Sequence, residues 1–122
     1  MRFTISGKNI DVTESMRRSV TEKLGKLERY FTEDTQVIVT MSVEKDRQKI
    51  EVTIPMRGTV IRSEQVSNDM YVSIDLVEEV IERQLRRYKQ KLIEGHRDGS
   101  FRREFIEKET EPVEESRIAR TK

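Results

Sequence analysis

The sequence predicts a small α+β domain with the element order β-α-β-β-β-α, in which two helices pack on one face of a four-stranded sheet. Short segments that alternate apolar and polar residues predict the strands, and two longer segments with an apolar stripe at helical spacing predict the helices. The chain has 122 residues, of which 39% are charged and 6% aromatic, so it suits one domain with a modest core.

Four segments alternate in the manner of strands. Gly7 and Asn9, which tolerate a positive φ, indicate a turn after the first strand. The connections between the second, third and fourth strands are short enough to require antiparallel hairpins. A helix must cross between the first and second strands, which makes those two a parallel pair. The predicted strands are residues 2–6, 36–43, 49–55 and 58–65.

The first helix lies between the first two strands, and Thr13 or Asp11 can cap its N-terminus. Apolar residues at steps of three and four predict that it continues through Gly25, although a glycine inside a helix costs up to about 1 kcal/mol. The stripe consists of Met16, Val20, Leu24, Leu27 and Phe31.

The second helix is longer and closes the domain. Asn68 or Asp69 caps its N-terminus, and Gly95 supplies a C-terminal stop. Its apolar residues lie within about 60° of one another on a helical wheel, so they form a single face toward the sheet. They are Met70, Ile74, Val77, Ile81, Leu85, Tyr88 and Leu92.

The periodic pattern ends at His96. Residues 96–122 carry seven basic and seven acidic residues with Pro112 among them, which is typical of a linker or tail. The sequence therefore predicts a folded domain over residues 1–95 and a charged, flexible segment over residues 96–122.

Composition argues against several classes of function. The chain has no cysteine and one histidine, so nucleophilic catalysis has little support and no thiolate metal site exists. Four acids of the second helix could be imagined as a metal site, but acids at a helix N-terminus are explained by the helix dipole: Asp75, Glu78, Glu79 and Glu82. No segment has the pattern of a signal peptide or a membrane span. We therefore expect a cytoplasmic protein that is not an enzyme, has no cofactor or metal and contacts no membrane.

The stretch RQLRRYKQK at residues 83–91 contains five basic residues and no acid. Bases at a helix C-terminus complement the dipole, and Glu79–Arg83 and Glu82–Arg86 are suitable i,i+4 pairs, so stabilisation alone explains much of the pattern. However, Arg83, Arg86 and Arg87 lie opposite the apolar stripe, and the helix is longer than the sheet. The first helix adds further cations, so a positive surface two helices wide is expected to meet a phosphate backbone.

The chain resembles the ribosome hibernation-promoting factors, also called ribosome-associated inhibitors or the sigma-54 modulation protein family. The resemblance rests on FTISGKNIDVTESMRRSVTEKLGKLERYF, on VIVTMSVEK and above all on NDMYVSIDLVEEVIERQLRRYKQK, and it covers residues 1–94. It implies a fold similar to a double-stranded-RNA-binding domain. It also implies a domain that binds the small ribosomal subunit in the mRNA and tRNA channel and stops translation in stationary phase or stress.

By the same resemblance, cationic side chains contact rRNA phosphates. The main candidates are Arg83, Arg86, Arg87, Lys89 and Lys91 of the second helix, with Arg18, Lys23, Lys26 and Arg29 of the first. Weaker candidates are Lys8, Lys45 and Arg47 in turns. Long family members pair two ribosomes through a C-terminal domain that begins with a strand resembling RIARTK, residues 117–122 here. We therefore expect a monomeric fragment that binds one ribosome and no small-molecule substrate.

Two other functions stay open. A protein–protein adaptor would use the basic helix end to bind an acidic protein, and a general double-stranded-RNA-binding module would bind free duplex RNA without ribosomes. Neither the affinity nor the rRNA nucleotides contacted can be deduced from the residues.

Overall fold

The computed structural model describes residues 1–98, with side chains up to residue 93. The element order is the predicted one, with a short 3₁₀ helix added after the first α-helix. The elements are β1 (Arg2–Lys8), α1 (Glu14–Gly25), the 3₁₀ helix (Glu28–Tyr30), β2 (Gln36–Glu44), β3 (Arg47–Met56), β4 (Thr59–Ser67) and α2 (Met70–Asp98).

The four strands form one sheet in the order β1-β2-β3-β4. β1 and β2 are parallel, with Ile5 opposite Val39, because α1 crosses between them. β2, β3 and β4 form an antiparallel meander. Asn9 has the predicted positive φ of 59°, whereas Gly7 lies within β1 and does not. Gly7 is instead constrained by space, since a Cβ there would lie 2.5 Å from the Ile10 carbonyl oxygen.

One face of the sheet is buried under both helices, and the other is open. The inward side chains of β2 and β3 are fully buried: Val37, Val39, Met41, Ile50, Val52 and Ile54. The open face carries two ion pairs, Arg62–Glu51 at 2.8 Å and Lys49–Glu64 at 3.7 Å. This contrast confirms the prediction that both apolar stripes pack on the same side.

α1 begins as predicted and ends earlier than predicted. Thr13 is the N-cap, and its Oγ1 accepts a hydrogen bond from the Met16 amide at 3.1 Å. The prediction of one helix through Gly25 to Phe31 is wrong, because Gly25 is the last residue of α1. Glycine has a low helix propensity, and after it the Leu27 amide donates to the Leu24 carbonyl at 3.0 Å, three residues back, as in a 3₁₀ helix. The 3₁₀ helix that follows still keeps Leu27 buried.

Several side-chain hydrogen bonds cap the N-terminus of α2. The Asp69 carboxylate accepts a hydrogen bond from the Tyr71 amide at 2.9 Å, and the Gln48 side chain accepts one from the Met70 amide at 3.1 Å. Ser73 Oγ donates to the Gln48 carbonyl at 2.7 Å, which ties the first turn of α2 to the start of β3.

The predicted stop at Gly95 is wrong, because α2 continues to Asp98. A glycine costs a helix about 1 kcal/mol and ends it only when its flanking residues also leave the helical conformation. His96 therefore lies within the helix rather than after it. Residues 99–122 of the predicted tail lie outside the described residues.

Gln84 of α2 protects the outer edge of β4. Its amide nitrogen donates to the Arg62 carbonyl at 2.9 Å, and its amide oxygen accepts from the Arg62 amide at 3.1 Å. Gln84 is 2% exposed, and these bonds satisfy backbone groups at a partly buried part of the edge. The side chain thus pairs with the strand as a neighbouring strand would, and it leaves no free donor and acceptor at that position.

Gly25→Ala is expected to raise the free energy of unfolding by about 0.5–1 kcal/mol, because alanine favours the helix and restricts the unfolded chain. An added Cβ meets no atom within 4 Å, so no clash opposes the gain. Urea unfolding measures the change. Gly7→Ala is the contrasting variant, and its clash with Ile10 should lower stability by about 1–3 kcal/mol. A loss of stability in the Gly25 variant would contradict an ordinary helical backbone at that position.

Gln84→Met is expected to lower the free energy of unfolding by about 1–3 kcal/mol, because it keeps the side-chain length and leaves the Arg62 amide and carbonyl without partners. The matched control is Gln36→Met at an exposed position, which should change stability by less than about 0.5 kcal/mol. Chemical denaturation of both variants measures the difference. Equal stabilities would show that Gln84 does not protect the strand edge.

Candidate nucleic-acid interface

Three side-chain contacts show that α1 and α2 lie side by side and run in the same direction. Tyr71 Oη donates to Ser15 Oγ at 2.8 Å, and Lys23 pairs with Asp75 at 2.9 Å. Arg29, in the 3₁₀ helix, pairs with Glu82 at 3.4 Å. The residue numbers of the two partners in each contact increase together along both segments, so the helices are parallel. α2 continues for 16 residues beyond Glu82, which corresponds to about 24 Å at the helical rise.

A row of carboxylates on α2 separates the cations of the two helices. Asp75 and Glu82 form the ion pairs given above, and Glu78 lies between them along the helix. Burial raises the pKa of Glu78, Glu82 raises it further, and Lys26 and Lys23 act in the opposite direction. The hydrogen bond from Lys23 to Asp75 raises the pKa of the Lys23 amine. The surface between the helices therefore carries both signs of charge.

Glu82 is shared by two arginines. Its carboxylate lies 3.4 Å from Arg29 and 3.3 Å from Arg86, and the second contact is the predicted i,i+4 pair. The predicted partner pair, Glu79 with Arg83, does not form, and Arg83 has no ion pair among the residues that the structure describes. Exposed pairs of this kind contribute little stability, so phosphate can replace Glu82 at either arginine at small cost.

The cations predicted on the first helix fall into two groups. Lys23, Lys26 and Arg29 face α2 and its carboxylates. Arg18 lies on the other flank, where it lines an open groove of about 370 Å³ between α1 and β1. The remaining residues of that groove are Phe3, Ile5, Glu14, Arg17 and Thr21. The structure thus does not bring all four predicted cations into one surface.

The weaker candidates lie at the far end of the domain. Lys8 ends β1, and Lys45 and Arg47 belong to the β2–β3 turn and the start of β3. This end of the sheet adjoins the first turn of α2, as the contacts of Gln48 with Met70 and Ser73 show. Lys45 has a φ of 58°, so that turn is also strained for a residue with a side chain. A length of about 30 Å of β3 separates these cations from the opposite end of the sheet.

The second half of α2 lies at that opposite end. Tyr88 is 7% exposed, and its hydroxyl donates to the Arg57 carbonyl at 3.1 Å, in the turn between β3 and β4. Burial raises the pKa of Tyr88, and the Arg57 charge and hydrogen bond partly offset this effect. The contact fixes the point at which α2 passes the end of the sheet. The ten residues of α2 beyond Tyr88 extend for about 15 Å.

Six cations surround this contact, and we call them the basic end. Arg83, Arg86, Arg87 and Lys89 are exposed, and Lys91 is half-buried. Between Glu82 and Glu94 the helix contains no acidic residue. The basic end consists of Arg57, Arg83, Arg86, Arg87, Lys89 and Lys91. It is the part of the described surface where predicted site residues are most concentrated.

Arg57 and an exposed apolar pair are absent from the sequence-based prediction. The turn at Pro55–Gly58 is evident from the sequence, but only the packing of Tyr88 brings Arg57 to the helix. Val72 and Leu76 are exposed on the first half of α2 at i,i+4 spacing, outside the core stripe. Their spacing is the signal that could have revealed them.

Two searches of the described residues returned negative results. No group of three or more histidine, cysteine or acidic side chains there is arranged to bind a metal ion. Neither helix, over its described length, combines the length and apolar character of a membrane span.

Relatives of this chain include two named ribosome hibernation promotion factors. One, from Lactococcus lactis subsp. cremoris (strain MG1363), is 41% identical over 95 residues, which are 75% of this chain and 51% of the relative. The other, from Staphylococcus aureus (strain COL), is 35% identical over 121 residues, which are 97% of this chain and 63% of the relative. The chain thus spans between half and two thirds of the length of these relatives.

Solved structures share the fold. The N-terminal domain of Thermus thermophilus Protein Y is 27% identical, with a TM-score of 0.67 over 72% of this chain and 99% of that one. A ribosomal subunit interface protein from Coxiella burnetii is 22% identical, with a TM-score of 0.67 over 74% of this chain and 99% of that one. At this identity the second likeness concerns the fold alone.

The family description "Sigma 54 modulation protein / S30EA ribosomal protein" matches residues 3–93. This range includes α1, the sheet apart from the first residue of β1, α2 apart from its last five residues, and the whole basic end. The chain therefore belongs to the Sigma 54 modulation protein / S30EA ribosomal protein family.

Proposed function

We propose that the protein is a ribosome hibernation factor that binds the small ribosomal subunit in the mRNA and tRNA channel and inhibits translation in stationary phase or stress. The observation that carries the proposal is the basic end, in which six cations lie around the point where α2 passes the end of the sheet. The names of the two relatives support the same function.

The charge distribution supports RNA as the ligand. A phosphate backbone presents negative charges at short, regular intervals, and a helix with successive cations on its outer face can contact several of them. Arg83, Arg86 and Arg87 provide planar guanidinium groups, which form two parallel hydrogen bonds with a phosphate. The carboxylates beside α1 would repel phosphate, so we assign the main contacts to the basic end and secondary ones to Arg29 and Lys26.

The proposed mechanism is steric and needs no chemistry. A folded domain in the channel occupies the volume that mRNA and tRNA require, and the phosphate contacts determine its position rather than read a base sequence. Because Arg29 and Arg86 share Glu82, each can exchange that carboxylate for a phosphate without leaving a buried charge.

We assign the blocking of the channel to the folded domain that ends with α2, acting in the cytoplasm. We assign a linker role to the residues that follow.

Binding to vacant ribosomes should weaken steeply as KCl rises, because every phosphate that a cation neutralises releases counterions. With about six contacts and a slope of roughly −0.7 per contact for single-stranded RNA, affinity should fall by about 300-fold between 50 and 200 mM salt. Co-sedimentation across a KCl series measures this. Affinity that is independent of salt would contradict an electrostatic interface.

The triple variant Arg83→Glu, Arg86→Glu, Arg87→Glu should abolish inhibition of cell-free translation and leave the fold intact, because all three side chains are exposed. The matched control replaces the same arginines with lysine, which keeps the charge but loses the paired hydrogen bonds, so it should bind more weakly than the parent and much more tightly than the glutamate variant. Normal inhibition by the glutamate variant would place the interface elsewhere. Circular dichroism and thermal unfolding check that each variant is folded.

Two further measurements distinguish the other functions. Ribonuclease treatment of a pull-down should release the partner if the ligand is ribosomal RNA, whereas an adaptor bound to a protein keeps its partner. Free double-stranded RNA in excess should not displace the protein from ribosomes if the shape of the channel contributes to recognition. Displacement of the protein from ribosomes by this excess of duplex RNA would indicate a general duplex-RNA-binding module instead.

A further inference from the structure

The outer side of β1 is an edge of the sheet, and its backbone groups have no strand beside them. β1 is the first strand in the order β1-β2-β3-β4, and it pairs only with β2. The Arg2 amide donates to the Thr35 carbonyl at 2.8 Å, so Arg2 and every second residue after it bond toward β2. The amides and carbonyls of Phe3 and Ile5 therefore point away from β2, where the described residues place no further strand.

This edge lacks the features that protect the edges of most sheets from pairing. At the opposite edge, Gln84 bonds to the backbone of β4. β1 contains no proline, and residues 3–7 carry no charged side chain, although both are common on protected edges. Only the far end of β1 is covered, since residues 10–12 lie against Gly7. The unprotected stretch is residues 3–5, which suffices to pair with one short strand.

The groove between α1 and β1 lies on the helix side of this edge. The half-buried side chains of Phe3 and Ile5 line it and supply its apolar surface. Side chains alternate between the two faces of a strand, so every second side chain of a strand added to β1 would enter the groove. Its volume of about 370 Å³ accommodates such side chains rather than single water molecules.

Two arginines line the α1 side of the groove. Arg17 and Arg18 are exposed, and neither forms an ion pair among the described side chains. Glu14 is the one acid that lines the groove, so the two arginines leave a net charge of +1 there. A glutamate on an added strand would place its methylene groups over Phe3 and Ile5 and its carboxylate at the arginines. A free phosphate would leave the apolar surface and the strand edge unused.

We propose that β1 and this groove bind an extended acidic segment of another protein, which adds a fifth strand to the sheet. Hydrogen bonds to the backbone of Phe3 and Ile5 provide affinity, and carboxylates at alternate positions provide selectivity. The groove lies on the flank of α1 that faces away from α2, so the site is separate from the basic end. It goes beyond the proposed function and does not depend on RNA binding.

Titration of the full chain with a peptide of eight alternating valine and glutamate residues, blocked at both termini, tests the site. We expect saturable binding with amide NMR shifts centred on Phe3, Ile5 and Thr21. Hydrogen exchange of the Phe3 and Ile5 amides should slow by about tenfold or more in the complex. The Thr4 and Ser6 amides already bond to β2, so their exchange should change little.

Peptides of the same length separate the two contributions. Lysine in place of every glutamate should weaken binding by about tenfold or more, because the arginines repel it. Only alternate amides of an added strand face β1, so N-methylation of one alternate set should abolish binding and N-methylation of the other should preserve it. Equal affinities of the glutamate and lysine peptides, or equal effects of the two N-methylated sets, would overturn the proposal.

The double variant Arg17→Gln, Arg18→Gln should bind the glutamate peptide about 3–10-fold more weakly, because it loses two partly exposed charge pairs. The matched control is Arg86→Gln, Arg87→Gln, which removes the same charge from the basic end and should bind the peptide like the parent. All four side chains are exposed, so both variants should fold. Equal losses of affinity in the two variants would show attraction by net charge and refute a specific groove.

Two other occupants of the edge would give different results. A second copy of this chain, paired at β1, would protect the Phe3 and Ile5 amides in the free protein, and the protection would grow with protein concentration. If the groove bound single-stranded RNA, a uridine octamer would bind more tightly than the glutamate peptide and would shift the amides of Arg17 and Arg18. Either result would refute an acidic protein segment as the ligand.

Discussion

The packing of α2 along the sheet is the constraint on which the rest of the structure depends. A helix of 29 residues is about 43 Å long, whereas a ten-residue strand is about 33 Å long. The first turn of α2 is tied to the start of β3 through Gln48, and Tyr88 contacts the turn at the other end of that strand. The helix therefore has no sheet beneath the residues that follow Tyr88, which include Lys89 and Lys91.

The division of charge along α2 follows from its neighbours. Its first half lies beside α1, where carboxylates pair with Lys23 and Arg29 and help to join the two helices. Among the described residues its ion pairs with α1 and the 3₁₀ helix end at Glu82, and the next acid along α2 is Glu94. One helix thus combines a half whose carboxylates pair with the cations of α1 and the 3₁₀ helix with a half in which cations predominate. Exposed pairs contribute little stability, so the pairing in the first half costs little to rearrange.

The two edges of the sheet, at β1 and β4, differ in the side chains that lie beside them. At β4, Gln84 bonds to both backbone groups of Arg62, and the strand cannot pair at that point with another chain. At β1, the edge lies beside the groove that contains Phe3 and Arg18. The buried polar residues Ser63 and Gln65 bond to each other on the inner face of β4, so that strand depends on side-chain hydrogen bonds as well as on apolar packing.

Local patterns in the sequence were sufficient for the element order, for the sheet pairing and for the core, since alternation and helical spacing depend on residues that are neighbours in the chain. The alternating residues of β2 and β3 and the stripe of α2 are buried as predicted. The two helix ends at Gly25 and Gly95 were mispredicted in opposite directions, because the cost of a glycine is close to the free energy that the surrounding contacts supply. The sequence also identified the cations of the second half of α2 as a candidate site.

Tertiary structure decided which of the predicted cations lie close together. Lys23 and Arg29 face carboxylates, Arg18 lies on the opposite flank of α1, and Lys8 is at the far end of the sheet. Arg57 joins the site only because Tyr88 contacts its carbonyl across 31 positions of the chain. Charge in a sequence reveals how many cations a protein has, but the field at a surface depends on distances between residues that are remote in the chain, and only the packed structure determines those distances.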